Sequence, residues 1–388
     1  FFFFFFFFFC FFSFYFFCLF VCVCLCLFVC VTQFEIECEC ERESARDKNE
    51  RQHTESKELT EIAELLASPV APTRMGKSAI NERHPLSIGT AGYSRTAMVT
   101  QALESSDAVF AVGASLARDF TSPEISADKT FVHASVDPND FNTYYAADVT
   151  IAGDAKLILR QMIEELRTRQ NRKLCEQRAA VEADIAQQRK VWKERWSSRL
   201  NSIETPINPY RVIGDFMRTF DPAKTIVSHD SGGSRDQLIP IYESVNPRGY
   251  LGWGHSTQLG FSLGAIMGAK VAAPDKLCAH FLGDAAIGMV GMDLETAVRE
   301  QIPIMTIVLN NSKMGNYERL IPRSAELFDA VKMSGNYADL ARALGSHAER
   351  AERPEEIVPA FERAERATKE GQPALVEYIT REEAEIPY

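Results

Sequence analysis

Asp284 and Asn311 stand 27 positions apart, and each follows an apolar run that stops abruptly. A carboxylate, a side-chain amide and a nearby main-chain carbonyl make a hard, all-oxygen donor set. That set is too sparse for a calcium cage, but it suits magnesium that completes its octahedron with water and phosphate oxygens. A diphosphate is the natural ligand of such a site. Gly283, Ala285 and Ala286 are small enough to let backbone N–H groups approach it, and the helix expected after them turns its positive end toward the same place. The plainer reading is that Gly-Asp ends a strand and Asn-Asn makes a turn, as in many α/β proteins.

The surrounding pattern decides whether these residues can meet. Residues 277–282 form an apolar run ending at Gly283-Asp284, as a buried parallel strand ends at a loop. Met292, Leu294, Ala297 and Val298 then recur at helical spacing, and a second run, 302–309, stops at Asn310-Asn311. Two parallel strands joined by a helix form a right-handed crossover, which brings both strand ends to one edge of the sheet. Asp284 and Asn311 are therefore expected to be close in space.

Gly283-Asp284 followed by Asn310-Asn311, each pair preceded by a strand, resembles the thiamine diphosphate binding motif of the acetolactate synthase and 2-oxoacid decarboxylase superfamily. Ala285 stands where that family usually has a third glycine. The resemblance implies that Asp284, Asn311 and the carbonyl of Lys313 hold Mg2+. It places Gly283, Asp284, Ala285, Ala286, Asn311 and Met314 against the cofactor. It also implies that the turn His229-Asp230-Ser231-Gly232-Gly233-Ser234 touches the diphosphate through Gly233 and Ser234, and that Leu259 wedges the cofactor into a bent shape. His255, in the run Gly252-Trp253-Gly254-His255-Ser256-Thr257-Gln258-Leu259-Gly260-Phe261, is a possible substrate contact. Leu320 stands where acetolactate synthases carry a tryptophan that shapes the acceptor pocket.

The expected fold is α/β, with two doubly wound parallel-sheet domains joined by a charged helical linker. Residues 1–57 are apolar and then highly charged, 58–165 make a partial central Rossmann-like domain, 166–204 the linker, and 205–388 the diphosphate- and Mg-binding domain. In the central domain, strands are expected near 107–113, 129–136 and 148–152, with Asp154 capping a helix after the last. The first strand of that domain is expected to be missing. Val112-Gly113-Ala114 is not a dinucleotide fingerprint, which argues against bound FAD.

Residues 1–34 carry no charge and begin with nine phenylalanines, and eight of the ten cysteines precede position 41. A stretch of this length exceeds the roughly 20 apolar residues that span a bilayer, so 1–31 reads either as a membrane anchor or as translated simple repeats. The second reading is favoured, and residues 1–57 are expected to be disordered or artefactual. Cys175 and Cys278 in the remaining sequence fit a reducing compartment, hence a cytoplasmic location. The formal net charge of −11, with no basic patch, argues against nucleic acid.

By resemblance, the activity is thiamine diphosphate- and Mg-dependent lysis or ligation of a carbon–carbon bond in a 2-oxo acid, or a 2-hydroxyacyl thioester lyase reaction. The family places the activating glutamate on a pyrimidine-binding domain, usually the partner subunit's, and no such domain is recognised in this sequence. A non-catalytic cofactor-binding fragment is therefore the second hypothesis. A homo-oligomer, or a partner that supplies the pyrimidine domain, is expected.

Overall fold

A computed structural model describes residues 27–31, 45–118, 122, 124–169, 172–252, 258–315 and 317–387. The first domain is built from β1 (Leu27–Val31), α1 (Ala45–Leu66), β2 (Val70–Pro72), α2 (Ala97–Ser105), β3 (Ala108–Val112), β4 (Thr130–Ser135), β5 (Val149–Ala152) and α3 (Ala155–Thr168). Its five strands are all parallel, in the order β2-β1-β3-β4-β5. Every residue of β3 is buried, as a parallel strand covered on both faces requires. Asp154 caps α3, its Oδ1 accepting from the Leu157 N–H at 3.0 Å.

Two expectations about the N-terminal part need correction. Leu27–Val31 is paired into the sheet, Val29 opposite both Val70 and Phe110, and so fills the strand position expected to be missing. A central parallel strand needs only a short apolar run, and the apolar segment offers one. The first helix begins at Ala45 rather than Glu58, because the charged stretch before Glu58 has no glycine or proline to stop it.

The linker is α4 (Arg172–Leu200). It contributes Ile185 to the core of the first domain and Trp192 and Trp196 to that of the second. The second domain runs α5 (Pro209–Thr219), β6 (Thr225–His229), α6 (Gly233–Ile241), β7 (Tyr250–Leu251), α7 (Phe261–Ala272), β8 (Leu277–Gly283), α8 (Asp284–Val290), α9 (Leu294–Arg299), β9 (Met305–Asn310), α10 (Pro322–Phe328), α11 (Tyr337–Ala343), β10 (His347–Ala351), α12 (Ile357–Lys369) and β11 (Ala374–Ile379). Its six parallel strands lie in the order β10-β11-β9-β8-β6-β7. Ala279, Phe281, Met305 and Ile307 pack on one face, and Cys278, Leu282 and Val308 on the other. Alternation with both faces apolar is what a doubly wound sheet requires. The edge strands β7 and β10 escape a reading of the sequence, β7 for its two residues and β10 for its polar HAERA composition.

The two domains are joined by a buried ion pair. Lys77 is 1 % exposed and donates to both oxygens of Glu82 at 2.6 Å; burial pulls its ammonium below the ordinary value and the Glu82 carboxylate works against that. Glu82 also accepts from the Thr90 hydroxyl at 3.0 Å and, across the domain boundary, from the Ser244 N–H at 2.7 Å. The Lys77 ammonium lies 5.2 Å from the centre of the Tyr250 ring. Glu82→Ala strands the ammonium in the interior and is expected to cost about 3 kcal/mol in urea unfolding, with part of the loss recovered when Lys77→Met is added. A loss no larger than that of a surface substitution would refute this role.

Candidate active site

The register places Phe281 of β8 beside His229 of β6 and Gly283 beside Leu309 of β9, so three adjacent strands end at one edge. Asp284 is 2 % exposed at the head of α8. Its Oδ1 accepts from the Ala285 N–H at 2.8 Å and its Oδ2 from the Lys313 N–H at 3.1 Å. The same Lys313 N–H donates to Asn311 Oδ1 at 3.1 Å. One amide thus brings together the two side chains singled out from the sequence. Among the described residues Asp284 has no ion-pair partner. Burial pushes its carboxyl above the usual carboxylate range, against the pull of the N–H groups of Ala285, Lys313 and Ser312.

Asn310 builds the turn that carries Asn311. Its Nδ2 donates to Glu377 at 2.7 Å, and its Oδ1 accepts from the Ser312 N–H at 2.9 Å. Glu377 is fully buried and also accepts from the Ala338 N–H at 3.0 Å. These contacts hold Ser312 at a φ of +58°, in the left-handed region. The Lys313 side chain points away, pairing with Glu318 at 2.7 Å and Glu382 at 2.9 Å. Met314 is fixed by its N–H donating to the Val331 carbonyl at 2.7 Å.

On the neighbouring strand end, Gly232 has a φ of +87° and precedes α6. A methyl group at Gly232 or at Gly283 would meet no atom within 4 Å, so both turns border open space. Ser234 does not extend its hydroxyl outward; Oγ donates back to the Asp230 carbonyl at 3.2 Å. The Ala285 N–H is likewise spent on Asp284. Any contact from this pair of residues to a ligand falls to other groups, the α6 backbone among them.

Asp230 is the residue that a sequence reading misses. Fully buried, it accepts from the Gly260 N–H at 3.0 Å on each oxygen, from the Ser231 N–H at 2.9 Å, and from Ser262 Oγ at 2.9 Å. Ser262 Oγ lies 2.9 Å from His280 Nδ1, and His280 Nε2 lies 2.9 Å from Thr306 Oγ1. Because Ser262 gives its one proton to Asp230, His280 donates from Nδ1 and accepts at Nε2 from Thr306. Gly260 has a φ of +95°, and a methyl there would come within 2.3 Å of Val290 Cγ1. Leu259, half-buried against the core, is fixed by this turn. The possible signal was the acidic residue in an otherwise small, flexible turn. His255 lies outside the described residues. Among the described residues no cluster of three His, Cys, Asp or Glu side chains is placed to hold a metal, and no helix is long and apolar enough to cross a membrane.

Burial holds both His229 and His280 at about 3. Unfolded, they titrate near 6.5, so on acidification the unfolded chain takes up protons that the folded one refuses. Their contribution to stability is complete above about pH 6.5 and is lost toward pH 3, at about 1.4 kcal/mol per pH unit for each. His280→Gln keeps one donor and one acceptor, and is expected to flatten the pH dependence of the urea midpoint between about pH 6 and pH 4 by one histidine's share. An unchanged slope would show that His280 is not held neutral.

Both domains are similar to known proteins. The family profile described as "Thiamine pyrophosphate enzyme, central domain" matches residues 49–162, and "Thiamine pyrophosphate enzyme, C-terminal TPP binding domain" matches residues 230–378. A probable acetolactate synthase large subunit from Methanococcus aeolicus is 27 % identical over 329 residues, 80 % of this chain and 53 % of that protein. A sulfoacetaldehyde acetyltransferase from Alcaligenes xylosoxydans xylosoxydans is 26 % identical over 362 residues, 85 % of this chain and 59 % of that one. The acetolactate synthase isozyme 3 large subunit of Escherichia coli (strain K12) is 28 % identical over 261 residues, 66 % of this chain and 44 % of its own length. The chain spans about half the length of these curated relatives.

Proposed function

The chain belongs to the thiamine pyrophosphate enzymes, whose central and C-terminal domains it carries, and on that footing we propose that it holds the diphosphate half of an acetolactate synthase-like active site. The reaction is lysis or ligation of a carbon–carbon bond next to the carbonyl of a 2-oxo acid. The observation that carries this reading is the Lys313 N–H shared by Asp284 and Asn311.

The residues fit the cofactor and its metal. Asp284 is a buried acid with no ion-pair partner among the described residues, next to an amide oxygen and between two turns that open into empty space. Asp284, Asn311 and the Lys313 carbonyl would hold Mg2+. The backbones of Gly232, Gly233, Gly283 and Ala286 would face the diphosphate, Leu259 would support the bent cofactor, and Met314 would lie along it. Bound thiamine diphosphate supplies the electron sink for breaking or making the bond. The chain's own work is to bind, to orient and to exclude water. The glutamate that activates the cofactor comes from a pyrimidine-binding domain beyond the described residues, in an assembly of at least two such halves.

Leu320 is 73 % exposed where the resemblance implies a tryptophan. It favours an acceptor other than that of the acetolactate synthases, and a 2-hydroxyacyl thioester lyase is the second reading.

Calorimetric titration with thiamine diphosphate, with and without Mg2+, tests the proposal. Binding is expected to need Mg2+ and to weaken at least about 100-fold in Asp284→Ala. Binding that ignores both the metal and the substitution would refute it.

A further inference from the structure

The two asparagines at the end of β9 divide the work. Asn311 shares the Lys313 N–H with Asp284, and Asn310 shapes the turn that brings it there. A side-chain amide has two ends of similar shape and opposite sense, an oxygen that accepts and a nitrogen that donates. Only one orientation serves this turn. Asn310 Oδ1 faces the Ser312 N–H at 2.9 Å and the Ser312 hydroxyl at 3.4 Å, and the reversed amide would set its NH2 against that backbone N–H.

The group on the other side of the amide is Glu377. It stands on β11, where Ile379 is the cross-strand partner of Asn310, so Glu377 lies diagonal to Asn310 on the same face of the sheet. Its Oε1 accepts from Asn310 Nδ2 at 2.7 Å and its Oε2 from the Ala338 N–H at 3.0 Å. The Arg350 guanidinium stands 4.0 Å from Oε1, beyond hydrogen-bond reach. A carboxylate accepts at both oxygens and donates at neither, so both neighbours must present N–H groups and Asn310 is left with its oxygen toward Ser312. A fully buried acid is a poor source of stability, and Ala338 alone needs only one acceptor, which a glutamine would provide. The second acceptor serves Asn310.

We propose that Glu377 is a positioning residue, an acceptor-only lock that selects the orientation of Asn310 and, through the Ser312 turn, sets Asn311 and Lys313 against Asp284. Its effect on metal affinity rests on the reading of Asp284, Asn311 and the Lys313 carbonyl as the holders of Mg2+; its effect on the turn does not.

Glu377→Gln keeps the size of the side chain and one acceptor. With that acceptor on Ala338 the new NH2 meets the Asn310 NH2, and with it on Asn310 the new NH2 meets the Ala338 N–H, so one donor faces another either way. Adding Asn310→Asp removes the conflict: the glutamine donates to one oxygen of the new carboxylate, and the other still accepts from Ser312. Net charge is kept, and only the direction of one hydrogen bond is reversed.

The full-length chain is read in two ways. In hydrogen exchange without ligand, the Ser312 and Lys313 amides are expected to exchange about tenfold faster in Glu377→Gln and to regain the wild-type rate in the double variant. In calorimetric titration with thiamine diphosphate and Mg2+, Glu377→Gln is expected to weaken the Mg2+-dependent binding at least about tenfold, and the double variant to recover most of it. Cooperative urea unfolding reports that each variant keeps its fold. Asn310→Ala, which removes the amide to be oriented, is expected to give the same faster exchange and weaker binding, and stands in if Glu377→Gln does not fold. Unchanged exchange in a folded variant, or losses that the double variant does not recover, would overturn the role of Glu377. A wild-type chain without Mg2+-dependent binding, whose amides nevertheless follow the expected exchange pattern, would overturn the Mg2+ reading alone.

Discussion

Asp230 and Asp284 follow adjacent parallel strands, both are buried, and among the described residues neither has an ion-pair partner. A carboxylate in that position must collect hydrogen bonds from whatever is nearest, because leaving its lone pairs bare in the interior costs several kcal/mol. The nearest donors are backbone N–H groups of neighbouring loops. Asp230 takes those of Ser231, Gly260 and Ser262, and Asp284 those of Ala285 and Lys313. Each acid thereby dictates the course of a loop that the sheet alone would leave undetermined. One is satisfied by protein groups alone and fixes structure. The other is held by the N–H groups of two loops beside the Gly283 turn, which borders open space.

The rest of the second domain keeps those two strand ends in register. Its sheet is apolar on both faces, so a slip of one residue would place His280 and Thr306 wrongly and break the chain of hydrogen bonds that runs from Asp230 to β9. The long linker helix ties that domain to the first by lending side chains to both cores, and the Lys77–Glu82 pair closes the joint under Tyr250. A buried ion pair is a poor source of stability, but it is intolerant of misalignment, which suits a joint between domains.

How much of this was legible follows from range. The parallel-sheet fold, the strands β3 to β5, β8 and β9, and the meeting of Asp284 with Asn311 were readable, because apolar runs and crossover handedness are local or topological rules. The pairing of β1 was not, since a short apolar strand inside a long low-complexity stretch has no boundary to mark it. Asp230 was passed over for a similar reason: its four partners lie up to 32 positions away, and nothing in the turn it occupies announces them. The hydroxyl of Ser234 is engaged by a local competition. A serine in the first turn of a helix finds carbonyls of its own turn first, and here it took them.

Gly260 shows how the two sides of the site are fixed relative to one another. It has no room for a methyl because Val290, the last residue of α8, presses against it, and the first residue of that same short helix is Asp284. Seven residues of helix therefore connect the acid at one side of the site to the turn that carries Leu259 at the other. Asp230 holds that turn from below and is itself anchored to β8, its N–H donating to the Phe281 carbonyl at 2.8 Å. A displacement of Asp284 along the helix axis would drive Val290 into Gly260, and a displacement of the Gly260 turn would strip Asp230 of its donors. The position of Leu259 relative to Asp284 is thus set by close packing and by a buried acid's need for hydrogen bonds, two constraints that a tertiary structure can impose and that no spacing in the sequence expresses.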